Sequence, residues 1–163
     1  MRPTTDRVRG AIFNILGFVE NFVAADLYAG TGSLGIEVLS RNGRRVDFVE
    51  ADPRQCWVIR TNLESVGFAG QGRVLCKTVE EAIENVDGMY DLILMDPPYS
   101  LPYPGHVLEG LSDIRGLLHE SSRVVVGHSN KVEPGSSYGR LVLEQDRRYG
   151  DTAVAFYRVG GQE

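Results

Sequence analysis

The sequence is poor in several features whose absence narrows what the protein can be. It has two cysteines, Cys56 and Cys76, which are too far apart and too isolated to indicate a zinc site, and which need not pair. No apolar run approaches the ~20 residues of a membrane helix, and the first residues lack the apolar core of a signal peptide. These absences predict a reduced, cytoplasmic protein with no membrane segment and no bound metal.

Lysine is nearly absent as well, since fifteen of the seventeen basic residues are arginine. The net charge of −5 argues against a nucleic-acid partner, because phosphate binding requires a basic surface. Arginine, however, suits bidentate phosphate contacts better than lysine does, and several arginines are clustered. A solvated charged surface is the alternative for each cluster. The residues that we predict to contact a nucleic acid are Arg2, Arg7 and Arg9 near one end of the chain and Arg147 and Arg148 near the other.

What remains is an ordinary composition for one domain, with 42% hydrophobic and 24% charged residues over 163 positions. A first helix, predicted over Asp6–Leu16, precedes strands that alternate with helices, beginning with Val23–Tyr28 and reaching a fourth strand at Tyr90–Met95. The last two predicted strands, Leu141–Gln145 and Ala153–Tyr157, have no helix between them. This order predicts an α/β, Rossmann-like, mostly parallel sheet of seven strands that ends in an antiparallel hairpin.

A glycine-rich turn, Asp26–Gly35, ends the first predicted strand. Its three glycines fit G-x-G-x-x-G between a strand and a helix, and the acidic residue Glu50 ends the next strand. Glycine lets a ligand approach the backbone closely, and the Glu50 carboxylate can accept both hydroxyls of a ribose. The motif therefore predicts an adenosine-containing cofactor, either a dinucleotide or S-adenosylmethionine. Asp26 favours S-adenosylmethionine, because a carboxylate beside the turn would repel a pyrophosphate.

The fourth predicted strand ends in Asp96-Pro97-Pro98-Tyr99, at the sheet edge where open α/β sheets bind ligands. Hydrogen bonds from the amine of a base to the Asp96 carboxylate and the Pro97 carbonyl would stabilise the charge that develops on the nitrogen during methylation. Tyr99 would stack on the base, which must be flipped out or unpaired. Tyr103 follows in the same loop and is a candidate lid over the base, with an ordinary loop residue as the alternative.

Four stretches of the chain resemble one enzyme family. They are Arg2–Leu16, Asp26–Glu37, Asp96–Tyr99 and Arg148–Tyr157, the last of which is similar to the C-terminal hairpin of that family. Over essentially its whole length the chain resembles the RsmD family, bacterial methyltransferases that modify N2 of a guanine in small-subunit ribosomal RNA. Asp-Pro-Pro-Tyr also occurs in DNA adenine methyltransferases, so this motif is specific for amino-methylation rather than for one substrate.

The resemblance implies a class I S-adenosylmethionine-dependent methyltransferase that forms one domain over residues 1–163 and acts on 16S rRNA or a small-subunit assembly particle. Family members usually begin with a further basic β-hairpin, which this sequence lacks. They also tend to have an Asp near the adenine, where this chain reads Lys77-Thr78-Val79. The implied catalytic residues are Asp96, Pro97, Pro98 and Tyr99. The predicted cofactor contacts are Asp26, Tyr28, Ala29, Gly30, Thr31, Gly32, Glu50, Ala51, Thr78 and Val79.

Three other functions stay open at this point. An adenine-N6 methyltransferase acting on DNA or RNA would use the same amine-binding motif. An NAD-dependent oxidoreductase would use the same glycine-rich turn. A non-catalytic RNA-binding module would need neither the amine-binding motif nor the glycine-rich turn. For each of these functions we take a monomer as the default oligomeric state.

Overall fold

A computed structural model describes residues 5–86 and 88–160. Within this part of the chain, no helix is long and apolar enough to cross a membrane. Helices and strands alternate until the last strands, which follow one another directly. In chain order the elements are α1 (Asp6–Leu16), β1 (Val23–Leu27), α2 (Ser33–Ser40), β2 (Arg45–Val49), α3 (Pro53–Ser65), β3 (Gly72–Leu75), α4 (Val79–Glu84), β4 (Tyr90–Met95), α5 (Gly105–Asp113), β5 (Leu118–Ser129), β6 (Ser137–Tyr138), β7 (Leu141–Tyr149) and β8 (Thr152–Val159).

The described strands form one sheet of eight, in the order β3-β2-β1-β4-β5-β8-β7-β6. Strands β1 to β5 pair in parallel, whereas β8 is antiparallel to both β5 and β7. The predicted Rossmann-like sheet with its antiparallel hairpin is therefore confirmed. The predicted count of seven strands is one too low, because the two-residue strand β6 pairs with β7 at the edge of the sheet. Two residues are too few to produce a readable alternation of polar and apolar positions.

Local sequence signals explain where the helices begin and end. Thr5 caps α1 by accepting a hydrogen bond from the backbone N–H of Val8 (3.2 Å), and Gly17 ends the helix with a positive φ of 74°. Asp52 caps α3 by accepting from the N–H of Arg54 (2.9 Å), with Pro53 at the first helical position. The bounds predicted for α1 are those observed, because its caps and its apolar spacing agree.

Hydrophobic side chains cover both faces of the sheet. Residues of α1, α2 and α3 pack on one face, around Phe48 and Leu92, and residues of α4 and α5 pack on the other, around Ile93 and Tyr157. The chain leaves β1 toward one face and β4 toward the opposite face, although β1 and β4 are neighbours. This arrangement opens a crevice at their carboxyl ends, which is where sheets of this type bind ligands.

Cys56 and Cys76 form a disulfide, although the sequence indicated that they need not pair. The first turns of α3 and the end of β3 both lie at the carboxyl edge of the sheet, so the two Cα atoms come within 6.0 Å of each other. The Sγ of Cys56 also lies 3.1 Å from the carbonyl oxygen of Glu50. Disulfides are rare in cytosolic proteins, so the bond departs from the predicted reduced setting, and a cytoplasmic location stays a prediction.

Reducing this disulfide is expected to lower the free energy of unfolding by about 3 kcal/mol, because the bond closes a loop of 20 residues in the unfolded chain. For a protein of this size the melting temperature should then fall by roughly 6–12 °C. Thermal unfolding with and without dithiothreitol measures the change. Cys76→Ser is the matched variant, because Cys76 is exposed whereas Cys56 is fully buried. Its melting temperature should equal that of the reduced wild type and should not respond to the reductant.

Candidate active site

The glycine-rich turn adopts backbone conformations that favour glycine. Gly30 and Gly32 have positive φ values of 59° and 83°, and Tyr28 shares this left-handed region at 59°. Strained non-glycine residues of this kind concentrate at ligand sites. The third glycine, Gly35, has a different role, since a Cβ at this position would collide with the ring of Phe48 on β2. Its missing side chain lets α2 approach the sheet closely.

Glu50 fixes the position of the turn from the neighbouring strand. Its carboxylate is buried and accepts hydrogen bonds from the backbone N–H of Gly30 (2.8 Å) and from that of Asp52 (2.9 Å). A carboxylate has about four lone-pair positions, so each oxygen can still accept a second donor. Glu50 can therefore hold the turn and receive two ligand hydroxyls at the same time.

Asp26 is the most deeply buried acidic residue of the site, with 1% of its surface exposed. It accepts a hydrogen bond from the N–H of Gly35 (2.9 Å). Burial raises the pKa of its carboxyl well above the ordinary value, against the effect of that hydrogen bond, and the charges of Asp96 and Glu50 raise it further. Three carboxylates thus surround one crevice, and this electrostatic environment attracts a cation and disfavours a pyrophosphate.

The Asp96 side chain lies at the end of β4, directed at the neighbouring strand β5. A Cβ on Gly127 would stand 2.5 Å from Asp96 Oδ1, so glycine at this position makes room for the carboxylate. Nearby, the Tyr99 hydroxyl donates to Thr152 Oγ1 of β8 (3.0 Å). A cavity of about 30 Å³ lies against Asp96 and Tyr99. The other residues that line this cavity belong to α1 and its cap, to α2, and to strands β4, β5 and β8. They are Thr5, Val8, Ile12, Leu34, Met95, Val125, Gly127, Thr152 and Val154.

The other predicted cofactor residues lie around the same sheet edge. Burial, with the charge of Glu80 as a second cause, raises the pKa of the Tyr28 phenol to about 12, so this hydroxyl is a donor at neutral pH. Thr78 forms a capping box with Glu81, in which its hydroxyl accepts from the Glu81 N–H (3.1 Å) and donates to the Glu81 carboxylate (2.9 Å). The Val79 side chain is buried. An adenine contact from the Thr78 hydroxyl would therefore compete with this cap.

The predicted substrate residues fall into different environments. Arg9 is paired with Asp6 (2.8 Å) and Glu37 (3.2 Å), so its charge is largely used within the protein. The guanidinium of Arg7 lies 6.0 Å from the ring centroid of Tyr149, beside the start of β8. Arg2 lies outside the described residues.

Near the other end of the chain, the two arginines of β7 contact neighbours on the protein surface. Arg147 donates to Gln145 Oε1 (2.8 Å), and Arg148 donates to the carbonyl oxygen of Asn130 (2.9 Å) and is paired with Glu133 (3.2 Å). Both side chains are exposed, so surface contacts of this kind are weak and exchangeable. Tyr103 does not line the cavity beside Asp96, but it lines a second small cavity together with Pro97, Pro98 and Tyr99, so its role as a lid stays a prediction.

Sequence reasoning missed three residues that shape the site. Asn62 of α3 donates to the carbonyl oxygen of Thr31 (3.0 Å) and so supports the glycine-rich turn from a second helix. Thr152 holds the Tyr99 hydroxyl, and Gly127 accommodates Asp96. No short-range signal marks any of the three, because each acts on a residue at least 30 positions away in the chain.

Comparison with known proteins places this chain in a family. Residues 1–158 match the family model described as "Conserved hypothetical protein 95". The Bacillus subtilis protein YlbH, named as an rRNA methyltransferase, is 33% identical over 164 residues, which cover 98% of this chain and 89% of that protein. This chain belongs to the RsmD family. The ribosomal RNA small subunit methyltransferase D of Escherichia coli, a further member, is 32% identical over 165 residues, covering 99% of this chain and 81% of its own.

Solved structures agree with this family assignment at the level of the fold. A conserved hypothetical protein of Streptococcus pyogenes superimposes with a TM-score of 0.88 at 29% identity, over 95% of this chain and 97% of that one. An RNA methyltransferase of Salinibacter ruber, solved with S-adenosyl-L-homocysteine, gives a TM-score of 0.76 at 18% identity over 99% and 96% of the two chains. This member of the RsmD family thus has the class I methyltransferase fold.

Proposed function

We propose that this protein transfers the methyl group of S-adenosylmethionine to N2 of a guanine in 16S rRNA. The observation that carries the proposal is the juxtaposition of Asp96 with the glycine-rich turn and with two further carboxylates, Asp26 and Glu50. These residues come from neighbouring strands of the sheet, so an amine acceptor and a site for a cationic cofactor face the same crevice.

S-adenosylmethionine is the cofactor. Its sulfonium and its α-ammonium group are both positive, which suits a crevice with three carboxylates, and its ribose hydroxyls suit the remaining acceptor positions of Glu50. Asp26 and the loop from Tyr28 to Gly32 would hold its amino acid end. When bound, the cofactor supplies an activated methyl group, and the protein supplies orientation and electrostatic stabilisation.

The amine nitrogen of a base is a weak nucleophile, because its lone pair is delocalised into the ring. Two acceptors, the Asp96 carboxylate and the Pro97 carbonyl, would bind its two N–H groups and hold the nitrogen in line with the methyl group. Bound S-adenosylmethionine would supply the methyl group, and its sulfur would keep the electron pair of the broken carbon–sulfur bond. Asp96 would stabilise the positive charge that develops on the amine nitrogen, which would then lose one proton to solvent.

The RNA would reach the crevice from the side where α1 meets the C-terminal hairpin. Arg7 and Tyr149 lie together there, and Arg147 and Arg148 directly precede Tyr149 on β7. Arginine contacts position phosphates, and an aromatic ring such as Tyr99 offers a stacking surface for an extruded base. These few arginines are a small basic surface for a protein of net charge −5. An assembly particle is therefore the favoured substrate, because the ribosomal proteins on the particle could add contacts.

Asp26→Asn is expected to weaken the binding of S-adenosylhomocysteine about 10-fold, because the amide keeps an oxygen for the Gly35 N–H but loses the charge. The same change should stabilise the unliganded protein. The raised pKa of Asp26 means that the folded state holds this proton more tightly than the unfolded chain, so wild-type stability falls as pH rises through that pKa. Above it, the variant should melt roughly 2–4 °C higher than wild type, and the difference should close at lower pH.

Calorimetric titration and thermal unfolding over a range of pH values measure both effects of Asp26→Asn. Asp113→Asn, an exposed position at the end of α5, is the matched control and should change neither quantity. An Asp26 variant that melts lower than wild type at every pH, or that binds S-adenosylhomocysteine as wild type does, would contradict the electrostatic argument.

The proposed function is tested by incubating the protein with labelled S-adenosylmethionine and either naked 16S rRNA or assembled small subunits, each from cells lacking the corresponding modification. The RNA is then digested, and the methylated nucleoside is identified by mass spectrometry. N2-methylguanosine is the expected product. N6-methyladenosine would replace the proposal with the adenine alternative. Equal rates on naked RNA and on subunits would remove the preference for a particle.

Two results would exclude a methyltransferase altogether. Binding of NADH without binding of S-adenosylhomocysteine would support the oxidoreductase alternative. RNA binding by a folded protein that produces no methylated nucleoside on either substrate would support the non-catalytic module.

A further inference from the structure

The segment from Asp96 to Pro104, which we call the catalytic segment, is attached to β8 at two points on opposite faces of the sheet. On the face covered by α1, the Tyr99 hydroxyl donates to Thr152 Oγ1 (3.0 Å). On the face covered by α5, the Tyr103 hydroxyl lies 2.7 Å from the Tyr157 hydroxyl. The segment therefore crosses the carboxyl edge of the sheet, with one tyrosine anchored on each side.

Counting protons shows which hydroxyl donates in the hydrogen bond between Tyr103 and Tyr157. The Tyr157 hydroxyl lies 3.1 Å from the carbonyl oxygen of Gly135, which can only accept a hydrogen bond. The single proton of Tyr157 is therefore used there, and Tyr103 must be the donor to Tyr157. Burial, followed by the hydrogen bond to Tyr157, raises the pKa of Tyr103 above its ordinary value, in agreement with a neutral phenol that donates.

The Tyr103 ring packs against two aromatic neighbours. The His128 ring meets it edge-on at a centroid distance of 5.4 Å, and the Tyr138 ring lies at 6.2 Å. His128 is itself buried and fixed by Asp146, whose carboxylate lies 2.8 Å from Nε2. These neighbours restrict the position of the Tyr103 ring, and the hydrogen bond to Tyr157 fixes the position of its hydroxyl group.

The chain from Asp96 to Tyr103 is stiff. Pro97 and Pro98 stand between Asp96 and Tyr99, Pro102 stands between the two anchors, and each proline fixes its own φ near −65°. The Leu101 N–H also bonds to the carbonyl oxygen of Pro98 (3.0 Å), which closes a tight turn that contains Tyr99. A shift of Tyr103 would therefore be transmitted toward Asp96 and Tyr99 instead of being absorbed by flexible backbone.

We propose that Tyr103 is a positioning residue, whose hydrogen bond to Tyr157 holds the catalytic segment in the geometry that places Asp96 and Tyr99 for methyl transfer. This inference rests on the proposed function for its effect on turnover, but its effect on the segment itself is independent of any substrate. Tyr103 acts here through the backbone and does not contact the base.

Tyr103→Phe is expected to lower kcat for methylation about 10-fold, the loss of one buried hydrogen bond, with Kd for S-adenosylhomocysteine and KM for RNA within about twofold of wild type. Tyr157→Phe should lower kcat at least as much, because it also removes the hydrogen bond to the Gly135 carbonyl oxygen. The double variant should be no slower than Tyr157→Phe, because that variant already lacks the bond between the two tyrosines. Tyr138→Phe is the matched control, since its hydroxyl accepts from the Gly135 N–H and makes no bond to the catalytic segment. It should retain the wild-type kcat.

Hydrogen exchange measured by mass spectrometry tests the positioning without substrate. Exchange in a peptide covering residues 97–105 should be at least about fivefold faster in Tyr103→Phe and Tyr157→Phe than in wild type or Tyr138→Phe. Unchanged exchange, or kinetic losses that add in the double variant, would overturn the inference. Wild-type protein that methylates no RNA, together with the expected exchange pattern, would overturn the proposed function and leave the anchoring of the segment established.

Discussion

Replacing Asp96 with alanine is expected to lower the methylation rate about 1000-fold, while S-adenosylhomocysteine still binds within about threefold of the wild-type affinity. The carboxylate is the acceptor that would bind the amine and stabilise its developing charge, and alanine offers neither function. The Gly30 and Asp52 N–H groups that hold Glu50 are untouched by this change, so the cofactor site should remain formed.

Asp96→Asn is the matched variant, because its amide oxygen can still accept one N–H of the amine but carries no full charge. Charge-assisted hydrogen bonds are roughly twice as strong as neutral ones, so we expect a rate about 10- to 30-fold below wild type. Single-turnover methylation with saturating cofactor measures both rates, and circular dichroism checks the fold. A rate for Asp96→Ala above a tenth of the wild-type value would remove Asp96 from the mechanism.

Replacing Glu50 with glutamine is expected to weaken S-adenosylhomocysteine binding about 100-fold, although the two side chains have almost the same shape. Both oxygens of Glu50 accept backbone N–H groups, one from Gly30 and one from Asp52. In glutamine an NH2 group must replace one oxygen, so two donors would face each other in a buried site. This clash should displace the side chain from its position in the wild type, and the ribose also loses a charged acceptor. Together these effects should cost about 1–3 kcal/mol of binding free energy.

Isothermal titration of the Glu50→Gln protein with S-adenosylhomocysteine measures this loss. Glu64→Gln, at an exposed position near the end of α3, is the control and should bind like wild type. Wild type should not bind NADH, because the anionic pyrophosphate would meet the carboxylates of Asp26, Glu50 and Asp96. Unchanged binding of S-adenosylhomocysteine by the Glu50 variant would mean that the ribose lies elsewhere.

Signals that act over a few residues made much of the fold predictable. The cap at Thr5 and the apolar spacing that follows it gave the observed bounds of α1, and the Asp52-Pro53 pair marked the start of α3. The run Tyr90–Met95 predicts a strand with the observed limits. Each of these depends on hydrogen bonds or side-chain patterns within about one turn or one strand, which a sequence displays directly.

Partners far apart in the chain were not predictable in this way. The sequence leaves the pairing of Cys56 and Cys76 open, and it does not predict the two-residue strand β6. Tyr103 has two open interpretations from the sequence, and the structure packs its half-buried ring against His128, 25 positions later. In each case the deciding contact forms only when the sheet brings distant segments together.

The sequence by itself determined the chemistry that we propose for this protein, because the glycine-rich turn, Glu50 and Asp96–Tyr99 each indicate it by residue type and local spacing. Only the tertiary structure decided how these groups cooperate. The reversal of strand order between β1 and β4 brings Asp26 and Asp96 to one crevice, where their charges interact. The return of β8 beside β5 supplies the anchors for Tyr99 and Tyr103. Charge coupling and hydrogen bonding depend on distance in space, and that distance is set by the pairing of strands.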